Sequence, residues 1–267
     1  MIALAQRLLA AWVGQTLVYF TVVTLVFALV WKALAGRLKH RRVHAGDRFS
    51  RAQVWFEVRH ATLTLLLGAL TAVGVFALYD AGLTRLHQTS TVSSLALQLL
   101  GLIVFNDAWF YFWHRWLHRP LPFKWIHSVH HRSIDVNPFT SYSFHALEGF
   151  VLSAWVIPAV LLVPIDLRVF SVVQVVGIAN NIVSHLGYEL YPDWFLRTRP
   201  FSWLSSATVH SNHHTRFHGN YALFFRFWDL WLGTALPLER DAPTKASAAA
   251  RAIAQRPSAP SLSTPTS

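Results

Sequence analysis

The chain contains no cysteine, a single methionine, and only 12 acidic residues against 23 lysines and arginines. The absence of cysteine excludes disulfides, iron–sulfur clusters, thiolate-bound haem and cysteine-type zinc modules. Any metal must therefore be held by imidazole, with carboxylate as a supplement. Because imidazole suits iron, zinc, copper and nickel, the ligand type leaves the element open.

Charged residues are scarce overall, at 13% of the 267 residues, whereas 54% are hydrophobic. A membrane span needs roughly 20 apolar residues, and residues 8–31 supply one without a charge. Residues 61–79 and 91–105 predict two further spans. Segments 149–163 and 169–184 are each short for a span and predict a shallow hairpin. The pattern predicts an all-α, polytopic membrane bundle of three to five spans, with a histidine-rich helical cap.

The net charge of +11 is concentrated beside the first span. The apolar core there is too long for a secretory signal, and no cleavage site follows. The basic residues that follow it are Lys32, Arg37, Lys39, Arg41, Arg42, Arg48, Arg51 and Arg59. The positive-inside rule predicts that they are cytoplasmic, and two further crossings return the chain there before the histidine-rich region. The positive charge would attract anionic lipid at the membrane surface, so we expect a membrane partner and no nucleic-acid partner.

These features predict four regions in the chain. Residues 1–36 hold the first span, and residues 37–60 form a basic cytoplasmic loop. Residues 61–240 form a membrane-embedded domain that contains the histidine-rich region. Residues 241–267 are rich in Ser, Pro and Thr, and their lack of apolar residues predicts a disordered tail.

Eleven of the fifteen histidines lie between His114 and His218, mostly in three short clusters. The clusters are His114-Arg-Trp-Leu-His118, His127-Ser-Val-His130-His131 and His210-Ser-Asn-His213-His214. On a helix, residues three and four apart share one face, so each cluster predicts a metal-binding face. We interpret His40, His44, His60 and His87 as ordinary histidines.

The number of clustered histidines predicts two metal ions rather than one. A tetrahedral zinc ion uses four ligands, and the clusters already supply eight. The candidate ligands are His114, His118, His127, His130, His131, His210, His213 and His214. His218, four residues after His214, is a further candidate ligand, and His145 is a candidate catalytic residue.

Asp107 shares a helical stripe with Tyr111, His114 and His118, at spacings of i, i+4, i+7 and i+11. Metal-bound histidines usually donate their other N–H to a carboxylate or carbonyl. We therefore predict that Asp107 accepts a hydrogen bond from an imidazole of the first cluster. The alternative is that Asp107 caps the span at the membrane interface.

The order and spacing of these clusters resemble the fatty acid hydroxylase superfamily, which includes sterol desaturases and sterol C4-methyl oxidases. Flanking residues agree over roughly residues 100–235. They include Asp107 through His118, the element Phe144-His-Ala-Leu-Glu148, and the closing elements Asn220-Tyr221 and Trp228-Asp229. The resemblance adds His185 as an isolated ligand between the second and third clusters.

The resemblance implies a cytoplasmic-facing centre of two iron ions (Fe2+) that uses O2 as co-substrate to hydroxylate or desaturate a lipid. It also implies an external electron donor of the ferredoxin or cytochrome b5 type. Two positions depart from the family pattern. Glu189 replaces a histidine that relatives carry, and it is a carboxylate ligand, a hydrogen-bond acceptor or an interfacial charge. His145 is followed by Ala rather than Pro.

Other functions and a route for the substrate also follow from the sequence. A bis-histidine haem electron carrier and a non-catalytic zinc-containing membrane scaffold are the alternatives to a lipid oxidase. A lipid substrate would enter from the bilayer. The aromatic residues near the first two clusters either line that entry or form an interfacial belt; they are Trp109, Phe110, Phe112, Trp113, Trp116 and Trp125.

Overall fold

The computed structural model describes residues 2–44 and 50–238. The predicted tail, residues 241–267, lies outside this part of the chain. The α-helices are α1 (Ile2–Phe27), α2 (Arg51–Asp80), α3 (Val92–Leu117), α4 (Pro120–Pro122), α5 (Ser128–His131), α6 (Ala146–Ser153), α7 (Val156–Leu162), α8 (Leu167–Ser184), α9 (Asp193–Arg197), α10 (Ala207–Arg216) and α11 (Phe227–Trp231). Short π-helices, Ala28–Ala33 and Phe123–His127, continue α1 and precede α5. Three 3₁₀ turns are Lys39–Arg41, Pro138–Tyr142 and Phe201–Trp203.

Four helical segments in the described residues are long and apolar enough to cross a membrane: Ile2–Ala33, α2, α3 and α8. Between 17% and 39% of each apolar window is buried inside the protein. The remaining surface exposes large apolar side chains, such as Leu17, Leu97 and Val175. Such a surface is stable facing lipid and not water. The prediction of an all-helical, multi-pass membrane protein is confirmed.

Helix α2 begins ten residues earlier than its apolar segment. The Ser50 side chain accepts a hydrogen bond from the Gln53 N–H and so caps the helix. Residues 51–60, predicted as part of a loop, are therefore the first turns of α2. Hydropathy does not detect these turns because they carry polar residues.

The predicted shallow hairpin is not symmetrical. Its second arm, α8, has the length of a span, whereas the first arm is divided into α6 and α7. Pro158 lies in the first turn of α7 and has no N–H to donate to the carbonyl of Ala154. The missing hydrogen bond accounts for the break.

Helices α3 and α8 start at one end of the bundle and end at the other. At the starting end, strands β1 (Leu86–His87) and β2 (Ile165–Asp166) pair in parallel, with Leu86 opposite Ile165. At the other end, α3 leads into His118 and α8 into His185. The two helices therefore deliver histidines to the same end of the bundle.

The basic segment after α1 lies at this histidine end. The N–H of Val43 donates to the carbonyl of Gly187, and the N–H of Glu189 donates to the carbonyl of Arg41. Gly187 has φ +76°, and a Cβ there would lie 2.6 Å from the Trp31 ring. Glycine is required for the chain to turn back so closely after His185.

Candidate metal centre

Four separate segments bring nine histidines together at this end of the bundle. The end of α3, the π-helix with α5, the end of α8, and α10 supply them. They are His114, His118, His127, His130, His131, His185, His210, His213 and His214. All are buried except His118, which is partly buried.

The nine imidazoles form two groups. The five-histidine group contains His114, His118, His127, His131 and His213, and the four-histidine group contains His130, His185, His210 and His214. Within each group, the ligand nitrogens lie within 4.8 Å of one another. Neighbouring residues are divided between the groups, since His130 and His131 belong to different ones. The arrangement has the form of two adjacent metal sites.

The Nε2 atoms converge in each group at the separation that a shared metal ion requires. In the five-histidine group, His114 and His127 are 3.1 Å apart, and His131 and His213 are 3.0 Å apart, measured between Nε2 atoms. In the four-histidine group, His210 lies 2.9 Å from His185 and 3.2 Å from His214. Two imidazoles bound at about 2.1 Å and at right angles on one ion would place these atoms about 3 Å apart. The geometry therefore fits transition-metal ions.

The opposite ring nitrogen, Nδ1, faces a hydrogen-bond acceptor in seven of the nine rings. The acceptors are Tyr221 O for His114, Phe217 O for His118, Glu148 Oε1 for His127, Ser143 O for His130, Asn181 O for His185, Gly219 O for His213 and Ser133 O for His214. Because a carbonyl only accepts, Nδ1 must carry the proton. The unprotonated Nε2 is then left to bind the metal.

Burial keeps these rings neutral at physiological pH. Loss of solvation is the main cause and lowers the pKa of His185 to about 4. The pKa values of His118, His127, His130, His131, His210, His213 and His214 are lowered well below their ordinary value for the same reason. A neutral imidazole is the form that binds a cation.

A tight turn after α10 supplies two of the carbonyl acceptors. Phe217, Gly219 and Asn220 all have positive φ, at 61°, 69° and 52°. A Cβ on Gly219 would lie 2.6 Å from a backbone oxygen, so glycine is needed. The left-handed turn directs the carbonyls of Phe217 and Gly219 toward His118 and His213.

Asp107 does not accept a hydrogen bond from an imidazole, in contrast to the prediction. Its Oδ1 accepts from the N–H groups of Leu223 and Phe224, and its Oδ2 accepts from Phe225 N–H and Trp228 Nε1. Seven residues separate Asp107 from His114, which puts it two turns away. Asp107 instead anchors the loop after Tyr221.

Tyr221 connects this loop to the five-histidine group. Its carbonyl accepts from His114 Nδ1 at 2.8 Å, and its own N–H donates to Asp229 at 2.8 Å. Two buried carboxylates, Asp107 and Asp229, thus fix the segment that orients His114. Asp229 was recognised only as part of a motif, and no residue pattern indicates that the carbonyl of Tyr221 would hold an imidazole.

Glu189 is buried but contacts no imidazole. Its Oε2 accepts from the N–H of Thr208 in the first turn of α10, and its Oε1 accepts from Tyr191 N–H. Of the three roles open to it, ligation and an interfacial charge do not match this position. Glu189 is a hydrogen-bond acceptor that caps the helix carrying the third cluster.

His145 and His218 lie outside both groups. His145 accepts the N–H of Leu147 and caps α6, the helix that carries Glu148. His218 is exposed, and its Nδ1 faces the carbonyl of Arg216. Because α10 ends at Arg216, the four-residue spacing from His214 does not continue a helical face. His40, His44, His60 and His87 also lie outside the two groups.

Glu148 is the one carboxylate of the described residues that hydrogen bonds an imidazole of the centre, His127, at 2.7 Å. The sequence placed Glu148 in a family element but assigned it no role. Helical spacing could not find it, because Glu148 and His127 lie on different helices.

Comparisons with known proteins agree with this site. The family model described as fatty acid hydroxylase matches residues 99–234, just over half of the chain. A Delta(7)-sterol 5(6)-desaturase of Gibberella zeae is 29% identical over 85% of this chain and 61% of its own length. Another from Aspergillus fumigatus is 28% identical over 82% of this chain and 62% of its own length.

A human lathosterol oxidase is 26% identical over 81% of this chain and 70% of its own length. The chain thus spans about three fifths of the two fungal proteins. No solved structure gives a significant match. The family model covers all nine converging histidines and the carboxylates around them. The chain belongs to the fatty acid hydroxylase family.

Proposed function

We propose that the protein is a membrane oxidase that holds two iron ions and uses O2 and external electrons to oxidise a C–H bond of a lipid. The observation that carries the proposal is that aromatic side chains lining one apolar cavity also pack against a histidine of each group. The names of the relatives, sterol desaturases and a lathosterol oxidase, favour desaturation of a sterol. Hydroxylation is the alternative outcome of the same chemistry.

The cavity has a volume of about 900 Å³ and lies among α1, α2, α3, α6 and α8. Most of its wall consists of apolar side chains from the membrane-spanning helices. Pockets of several hundred Å³ hold drug-sized ligands, so this one has room for a bulky lipid. Because it lies between spans, a water-insoluble substrate would reach it from the bilayer.

Two aromatic side chains connect the cavity with the metal centre. Phe110 lines the cavity and packs against His114, with ring centroids 5.0 Å apart. Phe144 lines the cavity and packs against His130 at 4.6 Å. The inner end of the cavity is therefore separated from one histidine of each group by a single aromatic ring. Of the six aromatic residues considered for substrate entry, Phe110 alone lines the cavity, while Phe112, Trp116 and Trp125 are exposed.

The nine Nε2 atoms would hold the metal ions, and the bound iron would supply the activation of O2. The chain's own residues position and protect the reaction. Carbonyls and Glu148 hold seven of the nine imidazoles by Nδ1–H, while Phe110 and Phe144 exclude water from the inner end. Desaturation would remove two hydrogens from the lipid and, with two external electrons and two protons, reduce O2 to water.

The basic segment lies at the same end as the histidines, so the positive-inside rule supports a cytoplasmic position for the centre. A cytoplasmic electron carrier of the ferredoxin or cytochrome b5 type would then reach it. The described residues leave no gap for haem between paired imidazoles, because their Nε2 atoms lie only 2.9–3.3 Å apart. Zinc bound by the four-histidine group is distinguished from iron by elemental analysis.

The test compares lipids from cells with and without the full chain by mass spectrometry. We expect one sterol class to lose two hydrogens, or to gain one oxygen if the reaction is hydroxylation. The variant H130A should abolish the product, whereas H218A should retain it because His218 lies outside both groups. An unchanged lipid profile with an iron-loaded protein and a supplied electron donor would contradict the proposal.

A further inference from the structure

Four amide side chains line the apolar cavity at membrane depth: Gln15 on α1, Asn106 on α3, and Gln174 and Asn181 on α8. The Asn106 residue is only 6% exposed. Asn181 donates to the carbonyl of Ser141, whereas Gln15, Asn106 and Gln174 have no hydrogen-bond partner within residues 2–44 and 50–238. Of these three, Asn106 and Gln174 lie on helices that pack against each other, α3 and α8. A buried amide without a partner costs several kcal/mol in an apolar medium, on the order of 1–3 from protein mutations. Polar groups retained inside a membrane protein usually have a function.

The space next to Asn106 is kept open by glycine. A Cβ on Gly177 would lie 3.9 Å from Asn106 Nδ2, so this atom is directed toward α8. Gln174 lies three residues before Gly177 and therefore on the same face of α8. Both amides and Gly177 line the cavity. A ligand in the cavity can reach the two amides together.

Asn106 lies on the face of α3 that leads along the helix to the metal centre. Asn106, Phe110 and His114 follow one another at four-residue intervals along α3. Eight residues of helix correspond to about 12 Å. A lipid whose polar group contacts Asn106 would thus extend past Phe110 to the histidine end.

The charge of the cavity wall indicates which kind of lipid head group the cavity can bind. Asp80 is the one charged residue among the described residues that line the cavity, and its carboxylate pairs with Arg7 at 2.8 Å. Among the described residues, the cavity wall therefore carries no lysine or arginine that could bind a carboxylate or phosphate head group. An amide both donates and accepts, which matches a hydroxyl.

We propose that Asn106 and Gln174 form the recognition site for an uncharged hydroxyl of the lipid substrate. The inference rests on the proposed function for treating the cavity as the substrate site, and it narrows the substrate to a neutral lipid alcohol. The hydroxyl would receive a hydrogen bond from one amide and donate to the other. Fatty acids and phospholipids would not satisfy these groups without burying a charge.

The test is equilibrium binding to the full-length protein in nanodiscs, so it requires no turnover. A fluorescent sterol alcohol is the probe, followed by energy transfer from tryptophan. It is displaced by a sterol alcohol or by the same sterol lacking its hydroxyl. We expect the alcohol to bind at least about fivefold more tightly, corresponding to one neutral hydrogen bond.

In N106L and Q174L, this preference should fall close to one, with binding of the deoxy sterol retained. N106Q keeps an amide and should retain part of the preference. The matched control Q88L makes the same change at an exposed residue outside the cavity and should leave the preference intact. Size-exclusion profiles identify any misfolded variant, and N106S, a smaller change, would then replace N106L.

An equal affinity of the wild type for alcohol and deoxy sterol would overturn the inference, as would an undiminished preference in both N106L and Q174L. The lipid profile of cells reports separately on the proposed oxidase. If cells form the oxidised lipid but the protein shows no preference for the sterol alcohol, only the proposed recognition site is contradicted. If the protein prefers the alcohol but cells form no oxidised lipid, the recognition site is supported and the proposed oxidase function is contradicted.

Discussion

The hydrogen bond between His127 and Glu148 differs from those of six other imidazoles of the centre, whose Nδ1 acceptors are backbone carbonyls. A carboxylate makes its histidine a stronger donor to the metal and adds negative charge beside the cation. Glu148 lies in α6, which also borders the cavity through Gly149 and Leu152. One short helix thus carries both the carboxylate that holds His127 and part of the cavity wall.

We predict that E148A lowers iron affinity by about 10-fold to 100-fold, the usual effect of losing such an acceptor. E148Q keeps an oxygen acceptor but not the charge, so its loss should be smaller. Competition with a chelator, followed by iron analysis of the purified protein, measures both variants. Wild-type affinity in E148A would show that the contact does not orient His127.

Replacing Asp107 is expected to lower folding stability more than it lowers iron binding. Its carboxylate accepts four hydrogen bonds from neutral donors while fully buried. Hydrogen bonds to charged groups contribute about 1.5–3 kcal/mol each. D107N should therefore lower the thermal unfolding temperature in detergent, and the iron content of the folded fraction should change less than in E148A. Unchanged stability with lost iron would support the original prediction of direct imidazole contact.

At the residue scale, the ligands were largely predictable and their acceptors were not. The i, i+3 and i+4 spacing is local information, and it located eight of the nine converging rings. His185 came from the family resemblance alone. The acceptor of His114 is a backbone carbonyl 107 residues away, at Tyr221, and no spacing rule encodes such a contact.

Among the elements, α10 contributes to both metal groups, with His213 in one and His210 and His214 in the other. Its first turn is held by Ser206 and Glu189, and its last by the left-handed turn at Phe217. A helix of ten residues is marginal on its own. Both ends must be fixed for the three rings to keep their positions.

We predict that E189A reduces iron mainly in the four-histidine group, because His210 is the histidine nearest the capped turn. The iron content should fall from about two toward one per chain, while E189Q retains more iron because its amide oxygen still accepts from Thr208. Elemental analysis and X-ray absorption of the purified variants measure the change. Full loading of E189A would show that Ser206 alone is a sufficient cap.

The long elements were predictable because lipid imposes length and hydropathy on a span. The structure differs from the predicted spans at two places, and each difference has a local cause. The polar first turns of α2 extend beyond the apolar segment, and Pro158 divides the hairpin arm into α6 and α7. The turn at Phe217 required knowledge of the backbone, since a phenylalanine at positive φ is uncommon.

At the scale of the whole molecule, a cytoplasmic metal centre requires that the histidine end and the paired strands β1 and β2 face opposite sides of the membrane. The natural absence of cysteine allows this to be tested with single introduced thiols. We predict that a membrane-impermeant maleimide labels Q88C in intact cells but labels R119C only after detergent is added. The reverse pattern would place the centre outside the cytoplasm and contradict the proposed orientation.

We propose that nine imidazoles hold two neighbouring iron ions, and iron analysis combined with Mössbauer and X-ray absorption spectroscopy of full-length protein from iron-replete cells tests this directly. We expect close to two iron ions per chain, nitrogen as the protein ligand to both, and a second iron detectable near each. A single ion per chain, isolated ions without an iron neighbour, or a haem spectrum would contradict it.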